Sequence, residues 1–144
     1  MLYHKQRIRH DPENGIYGDC HRTAIACLLD KQVEDVPHFG EHFMDSDKFN
    51  KAVADYLLTQ GMRVFTTPYH GETPLHEMLK AIGHYNPDCY YLLTGQSPRN
   101  VNHVVVCRGG RIIHDPHFDG GFITGPAQPD GYYWVDVLTP MLEG

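Results

Sequence analysis

An α+β fold follows from three features of this 144-residue sequence. Apolar residues recur at helical spacing in most of the chain up to Ile82, short runs rich in Val, Ile and Tyr take over after Cys89, and a single strand interrupts the helical part. Helices first and strands afterwards means an antiparallel meander rather than interleaved parallel βαβ units.

The first helix is expected to begin at Asp19 or Cys20 and run to Leu29. Gly18-Asp19 supplies a break and a cap, and Ala24, Cys27 and Leu28 recur at helical spacing. Cys20, Ala24 and Cys27 then share one face. The second helix spans residues 47–58, is ended by Gly61, and buries Phe49, Val53, Tyr56 and Leu57. Residues 62–67 read as a strand. A third helix covers residues 73–82, with Thr73 as cap and Pro74 in the first turn, where a missing N–H does no harm. Strands follow at 89–93, 102–108, 111–114 and 132–138, the middle pair joined by a Gly109-Gly110 turn. The Gly-, Pro- and Asp-rich stretch 116–131 is expected to be a loop over one end of the sheet. No repeat or long linker divides the chain, so one domain over residues 1–144 is expected.

Composition narrows the function. A net charge of -6, with His neutral, argues against a general nucleic-acid binder, which needs concentrated Lys and Arg to displace phosphate counterions. No apolar run approaches the ~20 residues of a membrane span, and residues 1–11 do not read as a secretory signal. Four cysteines, at 20, 27, 89 and 107, are expected as free thiols in a reducing cytoplasm.

One ordered set of residues carries chemistry. A cysteine attacks as thiolate, and a helix N-terminus beside a histidine favours that form. Cys20 opens a helix. His103 opens the strand His103-Val-Val-Val-Cys107, and Asp115 ends the strand that returns from the Gly109-Gly110 turn, so the two can be cross-strand neighbours. Nucleophile, base and orienting carboxylate are then in place. Asn14, six residues before Cys20, is a candidate side-chain donor to an oxyanion.

Gly18-Asp19-Cys20, then His103-Val-Val-Val, then His114-Asp115-Pro116 resembles the papain-like superfamily, especially its C39-type branch of bacteriocin-processing peptidases. That branch carries Gln six residues before an Asp/Glu-Cys helix start, where this chain has Asn14. It usually has Gly after the cysteine, where this chain has His21. The addition of Val36-Pro37-His38-Phe39, Ser97-Pro98-Arg99 and His117 is similar to a group of short proteins common in bacteriophage and bacterial genomes. The resemblance implies a Cys-bearing helix packed on a short antiparallel sheet. It also implies a cofactor-free thiol peptidase, amidase or isopeptidase acting on a peptide or protein.

Other readings stand beside this one. Cys27, Cys89 and Cys107 read as buried small hydrophobes. His114 and His117 with Cys20 or Cys107 could bind Zn²⁺, although their spacing matches no strong zinc signature. Arg99 is a candidate grip for a substrate carboxylate or a solvated charge. Asp19 and His21, flanking Cys20, are further candidate substrate contacts. A non-catalytic module that docks through its acidic surface is the rival from another class.

Overall fold

The structure, a computed structural model, describes residues 1–142. Among them are three α-helices, α1 (Cys20–Leu28), α2 (Ser46–Thr59) and α3 (Leu75–Tyr85), and five strands, β1 (Met62–His70), β2 (Tyr90–Gln96), β3 (Asn102–Arg108), β4 (Arg111–His114) and β5 (Tyr132–Pro140). The fold is therefore α+β, with the strands in the order β1-β5-β2-β3-β4. The β2–β3, β2–β5 and β3–β4 pairs are antiparallel. No helix among the described residues is long and apolar enough to cross a membrane. The chain forms two compact units, Met1–Phe65 with the stretch from Leu138, and Thr66–Val137.

In the first unit, Ala24, Ile25, Ala26 and Cys27 of α1 are fully buried, as are Val33 and Leu57, with Val36 and Phe39 nearly so. Arg22 stitches α1 to the segment after it, its Nε donating to the carbonyls of Val33 and Val36 at 2.8 Å each. The Asp45 carboxylate caps α2 by accepting the Lys48 N–H at 3.1 Å, which starts that helix at Ser46. Gly61, at φ 71°, ends it in the left-handed region that glycine adopts without steric cost.

In the second unit, Met78 and Ile82 of α3 pack with Tyr91, Leu93, Val105, Cys107, Tyr133 and Val135 of the sheet. The helix begins at Leu75 rather than Thr73. Pro74 is its N-cap at φ −58°, ψ 134°, and no side chain caps the helix. Pro74 is itself extended, so it takes the N-cap place and Leu75 becomes the first helical residue. Thr73 instead closes a turn to the His70 carbonyl at 3.0 Å. Gly83 lets α3 approach the β3–β4 hairpin: a Cβ there would stand 2.5 Å from the Gly110 nitrogen.

β2 and β3 pair over seven residues, from Tyr90↔Arg108 to Gln96↔Asn102, setting Gly95 opposite His103. β3 and β4 begin in simple hairpin register, Arg108↔Arg111 and Cys107↔Ile112. A bulge then shifts the next pair to Val106↔His114. The extra residue moves Asp115 one step along β3 relative to an unbroken ladder.

Candidate functional site

Strand β3 alternates, so His103 extends the row of Val105 and Cys107, the face that α3 covers. His103 and Asp115 are each 4% exposed. The expected neighbours meet: His103 Nε2 lies 2.6 Å from Asp115 Oδ1. The same oxygen accepts the His117 N–H at 2.8 Å, and Oδ2 accepts the Phe122 N–H at 2.8 Å. Burial alone would raise the Asp115 carboxyl. The His103 bond and charge and the two amides outweigh it and hold the group at about 2. An ionised carboxylate only accepts, so Nε2 carries the hydrogen, and when the ring is neutral its lone pair is on Nδ1.

The loop after β4 is wound around that carboxylate. Gly120, Gly121 and Phe122 are consecutive left-handed residues, at φ 70°, 94° and 58°. Such a backbone is costly at Phe122, on the order of 1–2 kcal/mol, and its N–H bond to Asp115 compensates. The His117 ring stands edge-on to His103 at 6.0 Å, its Nδ1 accepting the Asp119 N–H at 3.0 Å. Burial first, then the charges of Arg99 and His103, hold His117 below its ordinary pKa.

Arg99 was legible as a residue beside the His103 strand. In the structure its Nη1 donates to the Gly120 carbonyl at 3.0 Å. Among the described residues no three His, Cys, Asp or Glu side chains converge as a metal-holding group.

In the first unit Cys20 is the first residue of α1 and is half-buried. All four cysteines are free thiols. Cys27 and Cys107 are fully buried; burial raises both, Cys107 to about 12. That makes them poor nucleophiles. Cys89, expected to be buried, is half-exposed just before β2.

Asp19 holds the N-cap position of α1, but its side chain makes no capping bond. Its side chain is 0% exposed, and its Oδ1 accepts the N–H groups of Arg7 and Ile8 at 2.9 Å each, with Arg22 Nη1 3.6 Å from Oδ2. The expected substrate contact is thus a buried carboxylate held by backbone amides. It ties the N-terminal segment to the start of α1. His21 is half-buried and packed edge-on against Phe49 at 5.1 Å and Phe39 at 6.2 Å, within the aromatic packing of this unit. The Val36-Pro37-His38-Phe39 motif braces the approach to Cys20: His38 Nε2 donates to the Tyr17 carbonyl at 2.9 Å.

Asn14 sits in an exposed turn and donates from Nδ2 to Asp11 Oδ2 at 2.7 Å. Asp11 and Ile16 exchange both backbone bonds, at 2.8 and 3.0 Å, so residues 11–16 close on themselves. That closure removes them from the spacing count and brings a different amide to the helix start. Gln6 is 3% exposed, and its Nε2 lies 3.3 Å from where a Cβ on Gly18 would stand. Nε2 donates to the Ile8 carbonyl at 2.7 Å, while the buried Oε1 has no hydrogen-bond partner among the described residues. No local signal marked Gln6; only the closed turn reveals it.

The chain matches no known protein-family model, no curated protein and no solved structure.

Proposed function

We propose that the chain is a papain-like thiol enzyme that transfers acyl groups from a peptide or protein amide, with Cys20 as nucleophile, His103 as base and Asp115 as the group that orients His103. The observation that carries this reading is the buried 2.6 Å pair between His103 Nε2 and Asp115 Oδ1. A histidine fixed through Nε2 to an ionised carboxylate has its basic nitrogen, Nδ1, held in one direction. Cys20 supports the reading through its place, a half-buried thiol at the first residue of a helix.

In the proposed reaction Nδ1 takes the thiol proton and Sγ bonds to the amide carbonyl carbon. The resulting oxyanion accepts from the Cys20 N–H and from the amide of Gln6, the side chain held beside Gly18. The C–N bond then breaks, the amine leaving with the proton from His103. Water or an amine, deprotonated by the same ring, resolves the thioester.

Labelling with iodoacetamide at neutral pH tests the assignment. Fast modification of Cys20, slowed in His103→Ala, is expected, together with turnover of peptide, isopeptide or glutamine-amide substrates that Cys20→Ala abolishes. Sluggish modification of Cys20, unchanged in His103→Ala, would reduce the chain to a binding module.

A further inference from the structure

The left-handed run at residues 120–122 is the least favourable backbone in the second unit, and it is where the Asp115 carboxylate finds one of its amide donors. Something has to hold it. Two contacts reach it from outside. Pro98 Cγ and Arg99 Nη1 lie 3.0 and 3.5 Å from where a Cβ on Gly121 would stand, and Arg99 Nη1 donates to the Gly120 carbonyl at 3.0 Å. Both come from the turn at residues 97–101.

That turn is itself rigid. Ser97 is fully buried, and its N–H bonds to the Val101 carbonyl at 2.9 Å. The Asn100 N–H returns to the Ser97 carbonyl at 3.0 Å, and the Arg99 N–H to Ser97 Oγ at 3.3 Å. It leads directly into β3. There Asn102 exchanges two bonds with the Gln128 backbone, at 2.7 and 2.9 Å, fixing the strand one residue before His103. Arg99 therefore joins the segment that delivers His103 to the loop that encloses Asp115.

We propose that Arg99 is a positioning residue: its bond to the Gly120 carbonyl latches the 116–122 loop over Asp115 and so fixes the direction of the His103 ring. The inference deepens the acyl-transfer reading and rests on it for its catalytic meaning, but the latch lies wholly within the second unit. It assigns Arg99 a role other than gripping a substrate carboxylate. A grip needs the guanidinium fork aimed at the ligand, whereas a latch needs one donor on one carbonyl, a task a lysine ammonium can partly perform.

The test uses the full chain, with Arg99→Ala and Arg99→Lys. Long-range ¹H–¹⁵N spectra of the histidine side chains report the His103 Nε2–H directly, whatever Cys20 does. Its proton is expected far downfield and slow to exchange in the parent, shifted and faster in Arg99→Ala, and largely restored in Arg99→Lys. Cys20 alkylation is followed with iodoacetamide, which is neutral, and iodoacetate, which is an anion. Both should slow equally in Arg99→Ala, by up to roughly tenfold, the worth of one bond to a charged donor. Unaltered His103 resonances in Arg99→Ala overturn the latch. So does slowing confined to iodoacetate, which would make Arg99 an anion grip. If Arg99→Ala does not fold, Arg99→Met, which keeps the aliphatic stem and removes the donor, takes its place: altered His103 signals support the latch, and unaltered ones overturn it. Failure of the enzyme reading is seen separately, as a Cys20 alkylation rate indifferent to His103→Ala while the His103 signals still respond to Arg99.

Discussion

A carboxyl held at about 2 when its ordinary value is 3.8 has a definite effect on stability. Between those two pH values the unfolded chain binds a proton at this position that the folded chain resists. The stabilisation is thus fully present above about pH 4 and is lost as pH falls through 2. Its size is ~2 kcal/mol from the shift. Thermal unfolding of the parent and of Asp115→Asn at a series of pH values checks it: the parent should lose its advantage across that window, and the asparagine variant should show no such step. Gln6 and Asn14 also separate at this scale. Gln6→Ala should lower kcat by roughly 10²-fold or more with KM little changed, as for other side-chain oxyanion donors. Asn14→Ala should cost at most about 1 kcal/mol of stability, from the loss of one exposed turn bond, with kcat unchanged in the folded fraction. The four thiols should also differ. Iodoacetamide should reach Cys20 first and the half-exposed Cys89 more slowly, sparing Cys27 and Cys107 until the chain is unfolded; mass spectrometry of digests reads the order.

At the scale of elements, the His103–Asp115 pair was legible because a strand, a two-glycine turn and a return strand leave little freedom in the counting. The simple count sets Asp115 opposite Val104, on the face away from His103; the β-bulge shifts it by one residue, opposite Val105, and so onto the face where the two side chains meet. Where the reading failed, a partner distant in the chain had decided the matter. Asp19 looked like a cap because it precedes a helix, but its acceptors go to Arg7 and Ile8, which no local pattern announces. Asn14 fitted a spacing rule that the closed 11–16 turn had altered. The α3 start was a local error: Pro74 takes the extended N-cap conformation in place of Thr73, whose N–H closes a turn to the His70 carbonyl. α3 also yields a prediction. Gly83→Ala puts a methyl 2.5 Å from the Gly110 nitrogen, and relief means separating helix and hairpin backbones. A loss of ~1–3 kcal/mol is expected, typical of overpacking, measured by chemical denaturation. No loss would mean that the helix shifts freely.

Across the whole molecule, His103 and Asp115 hang from structures of unequal durability. His103 sits on β3, which is hydrogen-bonded to β2 over seven residues and to β4 on its other side. Asp115 follows β4, a four-residue strand at the edge of the sheet, and takes two of its donors from a loop with three left-handed residues in succession. Edge strands and strained loops open at a lower free energy than central strands. Native-state hydrogen exchange should accordingly divide the amides around the pair into two classes. Val104, Val105 and Val106 should exchange only through global unfolding, and His117 and Phe122 through a smaller opening that occurs far more often. In mild guanidinium the His103 ring would then lose its carboxylate while the sheet is still intact. Reactivity of Cys20 would decline before any change in the far-ultraviolet spectrum, so inactivation and unfolding would have different midpoints.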